Sequence, residues 1–220
     1  MSLKFVITED GSHSLFVPEL NEHYHSVFGA INESQHIFID AGLKKAISNK
    51  REINILEIGY GTGLNALMTF IELERQHIKC DYTAIEAFPL DMEIYSQLNY
   101  SEILKISNDI FLKIHEVEWG VKQIISDFFK IQKLESKVQE MSLPENNFDL
   151  VFFDAFAPDV QPELWTTTVF ENIHHSMKNE AILTTYSTKG IVKRALKAAG
   201  FSIEKLPGPK GKREILRATK

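Results

Sequence analysis

Apolar residues recur along this chain in two rhythms. Short runs rich in β-branched and aromatic residues fall at 53–58, 82–85, 148–153 and 181–186. Between them, apolar residues return every three or four positions over 64–73, near 92–98 and over 191–199. The first rhythm predicts buried strands and the second amphipathic helices. Strands alternating with helices in this way predict a mostly parallel sheet covered by helices. Gly200 stands where the helix over 191–199 should end in a residue that tolerates positive φ. Two further strand-like runs, 201–206 and 214–218, flank the loop Pro207-Gly208-Pro209-Lys210-Gly211 and predict an antiparallel edge.

The flanks of this pattern are less regular. Residues 4–8 are strand-like, Asp10-Gly11 is a turn signal and Leu15-Phe16-Val17 follows, which predicts a hairpin. The polar and aromatic stretch from His23 through Ala30 to His36 predicts a helical or irregular cap, and 38–47 a helix. Residues 101–132 are mostly helical in pattern, with Trp119 and Phe128-Phe129 as apolar anchors; 129–134 has the composition of a third strand. The expected architecture is α/β and Rossmann-like, with an antiparallel C-terminal strand added to the parallel sheet. A hairpin and cap segment is expected over 1–50 and the main domain over 51–220.

Composition narrows the class. At 220 residues and 44% hydrophobic, the chain can bury an ordinary core as one domain with a small appendage. No apolar stretch approaches the roughly 20 residues that span a bilayer. Met1-Ser2-Leu3-Lys4-Phe5 lacks the layout of a signal peptide, so a cytoplasmic protein is expected. Cys80 is the single cysteine, which excludes an intramolecular disulfide and a cysteine metal cage. His23, His25, His36, His174 and His175 show no metal-ligand spacing, so no metal is expected and most of these histidines are read as surface or cap residues. The net charge of −6 hides an asymmetry: from Lys189 onward there are 10 basic and 2 acidic residues, leaving 14 basic and 28 acidic before it. A basic C-terminal region on an acidic body fits either a local polyanion contact or a solvated helix face with a charged tail.

Three places carry candidate chemistry. In Leu56-Glu57-Ile58-Gly59-Tyr60-Gly61-Thr62-Gly63-Leu64-Asn65, glycines follow a strand and open a helix, where backbone can approach a ligand and N–H groups are free. The spacing G-x-G-x-G differs from the G-x-G-x-x-G of dinucleotide binders, which argues against a nicotinamide dehydrogenase. Glu86, ending the next strand, can accept hydrogen bonds from both ribose hydroxyls of a nucleoside cofactor; the plain alternative is a solvated strand-end acid. Asp154-Ala155-Phe156-Ala157-Pro158-Asp159 follows the strand at 148–153, so Asp154 should face the crevice at the carboxyl ends of the strands. Phe156 either stacks on a base and walls a pocket or packs beneath the loop.

These residues resemble the methyltransferase of the MnmC/MnmD type. The resemblance is carried by Gly59-x-Gly61-Thr62-Gly63-Leu64-Asn65, Asp154-Ala155-Phe156-Ala157-Pro158 with Pro162-Glu163-Leu164-Trp165, and Lys210-Gly211-Lys212-Arg213-Glu214. Tyr24-His25-Ser26, Gly29-Ala30 and Glu33-Ser34 fit as well, and 101–145 is the stretch without matched motifs. It implies a class I S-adenosyl-L-methionine (SAM) fold and methylation of the amino group of 5-aminomethyl-2-thiouridine at the tRNA wobble position. Bifunctional members add a C-terminal FAD-dependent oxidoreductase, which this chain is expected to lack. The implied cofactor site comprises Glu57, Gly59, Gly61, Thr62, Gly63, Asn65, Glu86, Asp154 and Phe156, with Asp154 as the catalytic carboxylate that receives the amine proton.

On the substrate side the candidates are Tyr186, Lys189, Lys212 and Arg213, with Lys193, Arg194 and Lys210 as further phosphate contacts. Tyr186 serves equally well as strand-end packing, and Trp165 is expected to pack the loop after Asp154. Glu135 and Ser136 are the positions that register offers for the adenine. Two alternatives stand beside this reading. One is a SAM-dependent enzyme acting on a small-molecule or protein amine. The other is a non-catalytic nucleotide- or RNA-binding module, for which Asp154 would be dispensable.

Overall fold

The computed structural model describes residues 3–220; Met1 and Ser2 of the N-terminal stretch lie outside it. Two sheets are present. The small one is antiparallel, β1 (Lys4–Ile7), β2 (His13–Val17) and β3 (Glu22–His23) in that order. The hairpin expected at Asp10-Gly11 is therefore formed, and β3 extends it within the stretch expected to be a cap. The large sheet uses β4 (Glu52–Ile58), β5 (Lys79–Glu86), β6 (Lys122–Ile124), β7 (Phe129–Glu135), β8 (Phe148–Phe153), β9 (Met177–Thr185), β10 (Ser202–Pro207) and β11 (Glu214–Thr219). Its order is β10-β11-β9-β8-β4-β5-β7-β6. The central strands β9, β8, β4, β5 and β7 run parallel; β6 at one edge and β11 next to β9 run antiparallel to them, and the other edge strand, β10, pairs antiparallel with β11.

Strand composition explains the layers. Every residue of β8 is buried, as befits a strand covered on both faces. Alternate side chains sort onto two cores. Ile53, Ile55, Tyr82, Leu150 and Phe152 belong to one; Leu56, Ile58, Ile85, Val151 and Phe153 belong to the other.

The first core is roofed by α1 (residues 30–46) and α2 (Leu64–Gln76). Helix α1 begins as α-helix over Ala30–Ser34, widens to a π-helix over Gln35–Leu43 and closes over Lys44–Ala46. It lies on β8 and β9, with the Phe38 and Phe152 rings 5.3 Å apart edge to face. Gly42 lets it settle, since a Cβ there would stand 3.1–3.2 Å from Thr184 and Phe152. The segment expected over 1–50 thus splits in two: its first part forms the small sheet, and α1 covers the large one.

Short helices α3 (Met92–Tyr95), α4 (Tyr100–Ile103) and α5 (Asn108–Glu116) follow β5. The helical pattern expected across 101–132 ends at Glu116. Beyond it, β6 and β7 form an antiparallel pair, because Ile125, Phe129 and Ile131 are buried in strand register, not along a helical stripe. The second core is roofed by α6 (Thr167–Ser176), absent from the sequence expectations, and α7 (Gly190–Ala198). Helix α7 buries Val192, Ala195 and Leu196 on one face. It closes as expected at Gly200, whose φ is 99° and whose N–H meets the Lys197 carbonyl while Phe201 N–H meets that of Leu196.

The loop between β10 and β11 reaches back to the N-terminal segment. His36 Nε2 lies 2.7 Å from the Pro207 carbonyl, and Lys210 pairs with Glu9 and covers the Phe28 ring. Gly211 sits so close to that ring that a Cβ would stand 2.1 Å from it.

Candidate active site

Strand order reverses direction around β4, whose neighbours are β5 and β8. Crevices form outside the carboxyl ends of strands at such a switch point. Here a cavity of about 700 Å³ opens, lined from the β4 loop by Gly59, Tyr60, Gly61 and Thr62, and from the β8 loop by Asp154, Ala155 and Phe156. The two loops are fastened to each other and to β5. Asp154 N–H donates to Ile58 O and Gly59 N–H to Ile85 O, at 2.9 and 3.0 Å. Gly59 (φ 87°) has no alternative, since a Cβ would stand 2.6 Å from the Asp154 carbonyl oxygen.

Glu86 points its carboxylate at this loop. Its two oxygens accept the N–H groups of Gly61 and Phe88, each at 2.9 Å. Burial raises its pKa, and those backbone hydrogen bonds oppose the rise. Each oxygen keeps a further lone pair for a ligand hydroxyl. A buried acid aimed by backbone N–H groups, beside a glycine loop that lines the same cavity, fits a nucleoside cofactor.

From behind, the glycine loop is braced by His115 and Lys133, which sequence reasoning did not single out. Burial lowers the His115 pKa to about 3, so the ring is neutral; its Nε2 lies 3.1 Å from Thr62 O, as a donor. Lys133 donates to the His115 carbonyl beneath the Tyr60 and Trp119 rings. His25, expected at the surface or in a cap, instead sits against the loop, Nε2 2.7 Å from Thr62 Oγ1, with a pKa lowered to about 4 by burial.

Asp154 is the central polar group. Its Oδ2 accepts from Asn65 Nδ2 at 2.9 Å, and Asn65 Oδ1 accepts in turn from Ser34 of α1. Burial, reinforced by the charge of Glu33, raises its pKa to about 7 against the Asn65 hydrogen bond and the Lys212 charge. The flanking backbone is fixed: Tyr186 hydroxyl donates to Ala155 O and Trp165 Nε1 to Phe156 O, both at 2.8 Å. Trp165 therefore packs the loop, as expected. The Phe156 ring faces the cavity, 5.1 Å from the Tyr24 ring.

The remaining candidates are placed as follows. Gly61, Thr62, Asn65, Glu86, Phe156 and Tyr186 line the cavity with Asp154. Glu57 does not: it is fully buried and accepts from the Tyr82 hydroxyl at 2.9 Å. Gly63 lies behind the loop at the start of α2, against Tyr60 and His115. Lys189 is exposed and paired with Asp159, and Arg213 is exposed. Lys212, expected at an RNA backbone, is instead in the cavity wall, 2.8 Å from Glu33, because the β10–β11 loop folds inward. Of the two adenine positions, Ser136 lines the cavity, with Lys137, Val138 and Gln139. Among the described residues no group of three or more His, Cys, Asp or Glu could hold a metal ion, and no helix is long and apolar enough to cross a membrane.

Fold and site together define a methyltransferase architecture with a nucleoside-cofactor crevice. The family of S-adenosyl-L-methionine-dependent methyltransferases matches residues 102–220, more than half of the chain, and the chain belongs to it. Among its relatives is the tRNA 5-methylaminomethyl-2-thiouridine biosynthesis bifunctional protein MnmC of Leptospira interrogans, 31% identical over 90% of this chain and 32% of that protein. The MnmC of Cupriavidus metallidurans is 25% identical over 96% of this chain and 33% of that protein. This chain thus spans about a third of the length of these relatives. The crystal structure of MNMC2 from Aquifex aeolicus superposes with a TM-score of 0.82 over 99% of this chain and 69% of that one, at 24% identity. Spermidine synthase from Thermotoga maritima shares the fold at a TM-score of 0.59 and 11% identity, covering 100% of this chain and 72% of that one.

Proposed function

We propose that this enzyme methylates the primary amine of 5-aminomethyl-2-thiouridine at the wobble position of tRNA. The observation that carries the reading is Asp154: a carboxylate with a pKa near 7, anchored by Asn65, at the mouth shared by the glycine loop and the Asp154-Ala155-Phe156 turn. The relatives' names supply the acceptor, a modified uridine of tRNA.

When bound, SAM supplies an electrophilic sulfonium methyl group. Glu86 accepts the ribose hydroxyls, and the bare backbone at Gly59 and Gly61 allows close approach. Asp154 Oδ takes one proton from the acceptor ammonium and aims the lone pair of the resulting neutral amine; nitrogen gains the methyl group and leaves as the secondary ammonium, and Asp154 returns its proton to solvent. An alkylamine is mostly protonated at neutral pH, so a base with a pKa near 7 is matched to this task. Alignment supplies most of the remaining acceleration. A wobble base lies in a single-stranded loop and can leave its stack at modest cost. The protein would act in the cytoplasm, where its tRNA substrate is found.

The test is methyl transfer from labelled SAM to tRNA carrying 5-aminomethyl-2-thiouridine, followed by nucleoside analysis. Appearance of 5-methylaminomethyl-2-thiouridine is expected. SAM binding without transfer to this tRNA would overturn the acceptor assignment and redirect it to amines of small molecules or proteins.

A further inference from the structure

Opposite Asp154 the cavity wall holds a cluster that the cofactor does not explain. Glu33 is nearly buried, its side chain 12% exposed, at the first turn of α1. Its Oε2 accepts the Ser26 N–H at 2.8 Å, which fixes the carboxylate. Its Oε1 lies 2.8 Å from Lys212 Nζ, and that ammonium also sits 5.2 Å from the centre of the Tyr186 ring. Tyr186 is held by its hydroxyl on Ala155 O, beside Asp154. Glu33, Asp154, Tyr186 and Lys212 all line one cavity. The Glu33 charge is felt at Asp154.

A fixed carboxylate, a second carboxylate within its field and an aromatic face make a receptor for one alkylammonium group. The Lys212 side chain, itself an alkylammonium, already sits against two of these groups, Glu33 and the Tyr186 ring. We infer that Glu33, Tyr186 and Asp154 form the acceptor-amine subsite, and that the Lys212 ammonium is an internal competitor which the substrate ammonium displaces. Glu33 and the Tyr186 ring hold the incoming cation. Asp154 then takes one proton from it, leaving the neutral amine to attack. Lys212, once displaced, moves toward the cavity mouth on its flexible stem. The inference rests on the amine-acceptor reading above and names the residues that select a cation.

The experiment compares two nucleosides, 5-aminomethyl-2-thiouridine and its neutral 5-hydroxymethyl counterpart, titrated calorimetrically into protein saturated with S-adenosylhomocysteine. The amine is expected to bind at least about tenfold more tightly, in the range of charge-assisted hydrogen bonds. Glu33→Gln, which can keep the Ser26 hydrogen bond, should abolish that preference while leaving S-adenosylhomocysteine affinity unchanged. Glu33→Asp should restore part of it. Lys212→Met should strengthen amine binding severalfold. In turnover, Glu33→Gln should raise KM for the amine more than it lowers kcat, and shift the acid limb of the pH profile downward by relieving Asp154 of a neighbouring charge.

Equal binding of the two nucleosides by the parent protein, or an amine preference that survives Glu33→Gln, would overturn the inference. So would weaker amine binding in Lys212→Met, which would make Lys212 a ligand contact. Methyl transfer to tRNA is scored separately. Its absence alongside an intact, Glu33-dependent amine preference would remove the tRNA assignment and leave the subsite standing.

Discussion

Asp154 concentrates the conflict between stability and chemistry in one side chain. Its carboxyl titrates near 7 in the folded protein against an ordinary value of 3.8. A group whose pKa is raised by folding supports the fold while protonated and loses that support as pH rises through the folded value. The loss attributable to Asp154 therefore falls between about pH 4 and pH 7. Asp154→Asn keeps an acceptor for Asn65 and removes the buried charge. At pH 8 it should raise stability by roughly 1–2 kcal/mol, seen as a Tm increase of about 2–6 °C. The same substitution should leave SAM binding nearly intact and lower turnover by about 100-fold or more. In the parent enzyme kcat should fall below about pH 7 as Asp154 protonates. A rate flat down to pH 5 would deny Asp154 the role of base.

At the scale of elements, the glycine loop, Glu86 and the Asp154 turn were legible because strand ends and their following turns are local in sequence. Glu33, Lys212 and Tyr24 were legible only as motif residues, with no sign that they share a cavity. Their meeting depends on the β10–β11 loop folding over α1, a contact between distant segments that no local pattern records. The strand β6 was hidden for a different reason: its three residues are all exposed, so they leave no apolar signature. Helix α6 buries Val169, Phe170 and Ile173 at helical spacing, yet lies amid short polar residues that weaken the signal. Lys212 looked like a phosphate contact because charge can be counted in a sequence, whereas its inward direction cannot.

The β10–β11 loop offers a test at this scale. Gly211 combines φ 84° with a Phe28 ring in the space of a side chain. Gly211→Ala should lift the loop from the N-terminal segment. Under the amine-subsite inference this withdraws the competing Lys212 ammonium from Glu33, so a severalfold fall in acceptor KM with unchanged SAM affinity is expected. Equal loss of both affinities would show a general disturbance of the cavity.

For the whole molecule, the basic C-terminal region is less free than its count implied. Lys189, Lys205, Lys210, Lys212 and Arg217 each pair with an acid. Among the described residues Lys193, Arg194, Lys197, Arg213 and Lys220 form no ion pair; Lys220 is held on the Met177 carbonyl, and Lys193, Arg194 and Lys197 lie on α7. Under the proposed function these are the groups left to meet phosphates. The double substitution Lys193→Gln with Arg194→Gln should weaken tRNA binding and lower the slope of log affinity against log salt by roughly 1.5–2. An unchanged slope would place the RNA backbone elsewhere.

The inward-folded β10–β11 loop also sets an order of events. Glu33 is made long before Lys212, so the pair between them forms only after the intervening chain has been synthesised. The glycine loop, Glu86 and Asp154 are all available earlier. A nascent chain that has reached Tyr186 but not Lys212 would hold every residue of the cofactor crevice and of the amine subsite without the internal ammonium that competes for it, so the guard of the subsite is made after the subsite itself.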